Sequence, residues 1–252
     1  MTELHCHILP GIDDGAKDVH ASIELLRMEK KDGVDNIVFT PHFHCDRIDV
    51  DGFIDLREKA FGRLKEALKN EPDLNFNMKL GAEVYFSPGL RDVDLAPLCF
   101  TDTSYMLIEF PTSHKPAFIK ETLYNIQSIG ITPIIAHVER YGYVLEDLTI
   151  LYEWVQSGAC VQINAGSLIR NDKLSALLLK LINWNLVHVI STDTHSVERR
   201  PPNMAPAIDL LGRKSGSETL DRIVTNGDDI FDNVEISVYD LHYPKKVLGR
   251  WV

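Results

Sequence analysis

Apolar residues along this chain gather in short dense runs, separated by longer stretches with helical spacing. Seven runs have the length and β-rich content of strands: ELHCHIL (3–9), NIVFT (36–40), NMKLGAEVYF (77–86), YMLIEF (105–110), TPIIAHV (132–138), CVQINA (160–165) and VHVIST (187–192). Most are continuously apolar, as strands covered on both faces are. Between them, VHASIELLRMEKKDG carries Val19, Ile23 and Leu26 on one face and stops at Gly33. FIDLREKAFGRLKEALKN, FIKETLYNIQSIG and LTILYEWVQSG likewise end in Gly or Asn, as helices do. Asp172 is placed to cap DKLSALLLKLINWN, and a last helical region over 203–226 follows Pro201 and Pro202. Strand and helix in unbroken alternation predict an α/β protein with parallel sheet. No repeat or linker divides the chain, so the pattern predicts one domain over 1–252, a length common for α/β barrels. The tail 237–252 holds basic and aromatic residues without a period.

Composition narrows this little and excludes more. Apolar residues make up 44% and charged residues 25%, the balance of an ordinary globular chain. The net charge is −11 and the pI near 5.3, with no basic run, so nucleic acid is excluded as a partner. Cys6, Cys45, Cys99 and Cys160 are scattered without a CxxC pair, which predicts reduced thiols. No apolar run approaches the ~20 residues that cross a bilayer, and HxH follows the initial Met almost at once. A cytoplasmic protein without membrane insertion is the expectation.

The chemistry lies where the runs end. In an extended strand residues i and i+2 share a face, so His5 and His7 point together while Cys6 points away. The second run leads to His42, the third carries Glu83, the fourth ends at Glu109, the fifth at His137, and the seventh at Asp193 and His195. Asp14 follows the first run. A lone His or Glu at a strand end is more often a satisfied polar residue than a ligand. Here six of seven run ends carry a metal-capable side chain, and that conjunction points to metal. Nine N and O donors exceed the needs of one ion and suit two or three.

Arg140 follows His137 in HVER, and Arg199 and Arg200 follow His195 in THSVERRPP. Guanidinium forks so close to candidate ligands fit a phosphate ester, although a solvated loop is the usual fate of arginine. A cysteine-dependent phosphatase is excluded, because Ile12, Asp51, Tyr105 and Gly166 stand where its Cys-x5-Arg arginine would be. Neither GxSxG nor GxxxxGK[ST] occurs. Metal-activated water is then the expected attacker on phosphorus. His44 or a water is the candidate proton donor to the leaving group.

HCHILPGIDDGAKD, TPHFH, GAEVYF, LIEFP, AHVERY and STDTHSVERRPP, in this order, resemble the polymerase and histidinol phosphatase (PHP) metallohydrolases. Among these they resemble the bacterial protein-tyrosine phosphatases of capsular and exopolysaccharide operons, over residues 3 to about 235. The resemblance implies a distorted seven-stranded (β/α) barrel with two or three Mn²⁺ ions, for which iron, cobalt or zinc can substitute. It places His5, His7, Glu83 and Asp193 on one ion. Glu83 then bridges to a second held by Glu109 and His137, with Asp14, His42 and His195 on a third. It assigns phosphate binding to Arg140 and Arg200. The implied substrate is the tyrosine-phosphorylated C-terminal tail of an autokinase that regulates polysaccharide synthesis, and a homo-oligomer is compatible with it. Ser196 stands where relatives often carry Asn, and Phe43 and His44 lie in a variable segment. A small-molecule phosphomonoesterase such as histidinol phosphatase is the alternative enzyme, and a non-catalytic metal-binding regulator the alternative class.

Overall fold

A computed structural model describes residues 1–237 and 239–252. The parallel strands are β1 (Thr2–Cys6), β2 (Asn36–Phe39), β3 (His42–Phe43), β4 (Asn77–Leu80), β5 (Glu83–Tyr85), β6 (Tyr105–Glu109), β7 (Thr132–Ile135), β8 (Cys160–Asn164) and β9 (Val189–Ser191). The helices are α1 (Val19–Lys31), α2 (Val50–Leu68), α3 (Ile119–Ser128), α4 (Gly142–Glu146), α5 (Thr149–Gln156), α6 (Ala165–Leu168), α7 (Lys173–Asn183), α8 (Met204–Ser215) and α9 (Ser217–Phe231).

The α/β class and the parallel pairing agree with the sequence pattern, but the continuous seven-stranded barrel does not form. The strands divide into a sheet ordered β1-β2-β4 and another ordered β3-β5-β6-β7-β8-β9. The chain changes sheet just after the second expected run and partway through the third. Pro41 has no N–H to continue the ladder after β2, so the chain leaves that sheet and re-enters the other as β3. The run 77–86 breaks at Gly81 and Ala82 between β4 and β5. A Cβ at Gly81 would lie 2.6 Å from the Phe100 ring, so only glycine passes there without a shift. The two sheets meet again where Cys6 bridges Thr194, with Asp193 N–H donating to His5 O and His7 N–H to Thr194 O, both at 2.8 Å. Those bonds hold the ends of β1 and β9 side by side.

Aspartate side chains cap the starts of α1, α2 and α7. Asp49 accepts from Gly52 N, so α2 starts earlier than its apolar period. Asp172 and Ser175 form the capping box of α7, where the sequence placed a cap. The helical region expected over 203–226 is two helices, because Gly216 at φ 86° ends α8 and opens α9. The main core packs β5 to β9 against the helices around the fully buried Trp154, Tyr141 and Phe110, and a second cluster lies under α1 and α2. In the tail, β10 (Lys246–Val247) and β11 (Arg250–Trp251) pair as a hairpin, and His242 stacks on Trp184. Among the described residues no helix is long and apolar enough to cross a membrane. All four cysteines are free, with Cys6, Cys99 and Cys160 buried.

Candidate metal centre

Parallel strands deliver their carboxyl ends to one side of an α/β molecule, and all nine candidate ligands arrive there together. His5 and His7 share a face of β1 and its extension, and their Nε2 atoms are 3.3 Å apart. Glu83, at the start of β5, sits among four imidazoles. Its Oε2 is 3.3 Å from His5 Nε2, 3.1 Å from His7 Nε2 and 2.9 Å from His42 Nδ1, while Oε1 is 2.9 Å from His137 Nε2. Glu109 Oε1 lies 3.5 Å from the same His137 nitrogen. Asp193 Oδ1 is within 3.6 Å of His5, His7 and His195. Asp14, more exposed, reaches His42 at 3.3 Å and His195 at 3.4 Å.

Backbone geometry aims two of these side chains. His137 has φ 30° and Asp193 φ 53°, left-handed conformations that non-glycine residues rarely adopt. Each stands two residues past the end of its strand, where the left-handed turn directs the side chain into the cluster. Gly15 anchors the loop bearing Asp14, since a Cβ there would fall 2.0 Å from His7 O.

Three residues that the motif reading passed over hold this arrangement. Asp13 Oδ2 accepts from His7 Nδ1 at 2.7 Å and from His42 N at 3.2 Å, and Oδ1 accepts from Gly15 N at 2.9 Å. Gln162 Oε1 accepts from His137 N at 2.7 Å and lies 3.2 Å from His5 Nδ1. Gln162 also donates to Asn164, whose amide donates to Asp193 Oδ2 at 2.9 Å. Their signal was present: the first carboxylate of the Asp-Asp pair, and two amides inside the otherwise apolar run CVQINA.

Charge in the cluster is tightly balanced. Burial opposes ionisation of Glu83, yet the charge of His5, the hydrogen bond with His137 and the nearness of His42 hold it well below the ordinary carboxylate range. Burial opposes charging His7 as well, but its hydrogen bond to Asp13 and the negative charge of Glu83 beside it raise it to about 10. His5 is also raised, against its burial, by Glu83 and Asp193. Burial and the adjacent Glu83 push Glu109 up to about 7. Burial and the charge of His7 lower His195 to about 4, and burial lowers His137, leaving both as neutral donors. Protons on His5 and His7 thus offset Glu83 and Asp193, the charge role a bound cation would take over.

The donor set fits metal on a further ground. Glu83 Oε2, His42 Nδ1 and His195 Nε2 are buried and have no hydrogen-bond partner, although each faces other cluster atoms. Buried polar atoms are otherwise almost always paired. Four groups have ligand atoms within 4.8 Å of one another: His7, Asp14, His42 and His195; His5, His137 and Asp193; His5, His7 and Glu83; and His42, Glu83 and Glu109. Imidazole and carboxylate without thiolate suit manganese, iron, cobalt or zinc.

The arginines border the cluster. Arg140 pairs closely with Asp193 Oδ2, and Arg200 Nη1 reaches the same oxygen at 3.1 Å, with Nη2 3.6 Å from Asp14. Both remain about one third exposed, so their forks reach the mouth, whereas Arg199 faces solvent. His44 stands at the rim with its ring 6.0 Å from that of His42 and 4.7 Å from that of Tyr85. Burial, Arg47 and His42 hold His44 below the ordinary imidazole range.

An α/β chain that gathers this donor set beside two arginine forks is of the metal-binding class suited to phosphate esters. Comparison with known proteins places it further. The chain belongs to the capsular polysaccharide synthesis CpsB/CapC family, whose profile matches residues 1–232. It is 35% identical over 241 residues to the tyrosine-protein phosphatase YwqE of Bacillus subtilis, covering 94% of this chain and 93% of YwqE. It is 33% identical over 246 residues to CapC of Staphylococcus aureus, with the same coverage, 94% and 93%. A crystal structure from work on B. subtilis YwqE and Streptococcus pneumoniae CpsB, described as metal-dependent tyrosine phosphatases, superposes with a TM-score of 0.89 at 33% identity. It covers 97% of this chain and 100% of that one.

Proposed function

We propose that this protein is a metal-dependent protein-tyrosine phosphatase. Asp193 carries the reading: its Oδ1 faces the imidazole cluster while its Oδ2 meets both arginines, so metal and phosphate sites share one carboxylate. The nine residues His5, His7, Asp14, His42, Glu83, Glu109, His137, Asp193 and His195 would hold two or three ions, with Mn²⁺ the proposed native metal. Such ions supply Lewis acidity toward phosphoryl oxygen and lower the pKa of water at neutral pH.

The chain's own residues do the rest. Arg140 and Arg200 bind the phosphoryl oxygens and neutralise charge that grows during transfer. Asp13 and Gln162 fix the rings of His7, His5 and His137. A tyrosine leaving group has a pKa of about 10, so its departure asks less of a proton donor than a serine alkoxide would. His44, its ring tilted against Tyr85 beside the mouth, is the proposed donor of that proton.

The proposed substrate is a phosphotyrosyl polypeptide, namely the C-terminal tail of an autokinase controlling polysaccharide synthesis, met in the cytoplasm. Hydrolysis of p-nitrophenyl phosphate and of a phosphotyrosyl peptide, before and after chelation and Mn²⁺ addition, tests this. The reading expects both activities to vanish and return together. Activity that survives complete chelation refutes it, and preference for histidinol phosphate over the peptide moves it to a small-molecule phosphatase.

A further inference from the structure

We infer that the groove between α3 and residues 86–95 binds the polypeptide flanking the phosphotyrosine, so that the enzyme reads apolar residues beside its target. The inference rests on the tyrosine-phosphatase reading and adds a docking surface to it. The groove has a volume of about 450 Å³, and Phe86, Leu90, Val93, Phe118, Ile126 and Ile129 supply its apolar lining.

Its origin is in the fold. After most site-bearing strands a full helix packs on the sheet, but after β5 the chain makes only two short 3₁₀ turns, Pro88–Asp92 and Ala96–Leu98. These cannot cover the flank of α3. That helix therefore has two apolar stripes. Ile119, Leu123 and Ile126 face the core, while Phe118, Thr122 and Ile129 follow each other at helical spacing along the groove. Phe118 and Ile129 are 65% and 62% exposed, an unusual loss of apolar burial for two large side chains on one stripe.

Continuity with the metal centre selects the occupant. Phe86 N–H donates to Glu109 O at 2.8 Å, so the groove wall is bonded to a candidate ligand residue. Tyr85, one residue earlier, packs its ring against that of His44 at the rim, with centroids 4.7 Å apart. Both walls start at the strand ends bearing Glu83 and Glu109, and α3 runs away from the mouth. From Phe118 to Ile129 the helix rises roughly 16 Å, the span of about five extended residues. A peptide whose phosphotyrosine enters the mouth can lie along this length. Its apolar side chains would meet Phe86, Leu90 and Ile129, and its backbone would meet the polar groups of Ser87, Thr122 and Asn125.

Two sets of phosphotyrosyl nonapeptides test the inference, carrying leucine or serine at the positions on one side of the phosphotyrosine or the other. The wild-type protein, loaded with Mn²⁺, should show a KM about tenfold lower for one leucine peptide than for its serine counterpart. Thr122→Arg, which fills the groove from a partly exposed helix position, should abolish that preference and leave p-nitrophenyl phosphate kinetics and the melting temperature unchanged. Equal KM values for leucine and serine peptides in the wild type overturn the inference while leaving the phosphatase reading intact. So does a wild-type dimer that Thr122→Arg dissociates without altering peptide KM, which assigns the groove to a second copy. A protein inert toward every phosphotyrosyl peptide overturns the reading and the inference together.

Discussion

Asp13→Asn tests the support of the metal centre at one atom pair. Asp13 uses both oxygens: Oδ1 for Gly15 N–H and Oδ2 for the Nδ1 of His7 and the N–H of His42. Asparagine keeps one acceptor and turns an NH₂ toward donors. Without metal, His7 stands at about 10 instead of 6.5, which corresponds to a preference for its protonated ring of about 5 kcal/mol. Burial opposes that preference, and Asp13 and Glu83 create it. Half of the net preference sets a lower bound for Asp13 of about 2.5 kcal/mol, roughly seventyfold in the affinity of His7 for a cation. That falls inside the range of about 10–100-fold found when a carboxylate behind a ligating histidine is removed. Mn²⁺ affinity, measured by competition with a chelating dye, should fall by about that factor in Asp13→Asn. The thermal melt of the metal-free variant controls for folding. Wild-type affinity in both Asp13→Asn and Asp13→Ala refutes the reasoning.

Other consequences follow from the same geometry. Gly15→Ala places a Cβ 2.0 Å from His7 O; urea denaturation should show a loss of about 1–3 kcal/mol, the cost of forcing an atom into filled space, with weakened Mn²⁺ binding. Protons on His7 and Glu109, which titrate at about 10 and about 7, compete with cations. Mn²⁺ affinity should therefore rise about tenfold per pH unit from 7 to 9 and more steeply below 7, and an affinity constant between pH 6 and 8 would contradict this. Arg140→Ala should lower kcat/KM on p-nitrophenyl phosphate by about a hundredfold or more while Mn²⁺ content by elemental analysis stays near wild type. Arg140→Lys should recover little of it, because a point charge lacks the bidentate fork.

How much of this is legible in the sequence depends on whether a residue's chemistry or its geometry decides its role. The strand ends are readable because metal-capable residues recur at the close of apolar runs, where chance rarely puts them. The period of two in HCH suffices to bring His5 and His7 onto one face. The sheet division is hidden, because NMKLGAEVYF is uniformly strand-like and only the Phe100 ring pressed on Gly81 shows why it breaks. Asp13 is hidden by its neighbour: two adjacent carboxylates look equivalent until the turn at Gly15 sends one inward and the other toward the mouth. Gln162 and Asn164 carry no motif, and their value comes from His5, His137 and Asp193, which tertiary structure alone brings to them. The short α4 and the break at Gly216 similarly depend on local turns instead of apolar period.

The central claim is that one cluster of nine side chains holds the metal and presents phosphate to Arg140 and Arg200. Crystals grown with Mn²⁺ and inorganic phosphate, measured at the manganese absorption edge, test it most directly. The account expects anomalous peaks enclosed by His5, His7, Asp14, His42, Glu83, Glu109, His137, Asp193 and His195, with a phosphate held between them and both guanidinium groups. Manganese bound elsewhere, or phosphate bound away from the two arginines while the cluster stays free of metal, would contradict it.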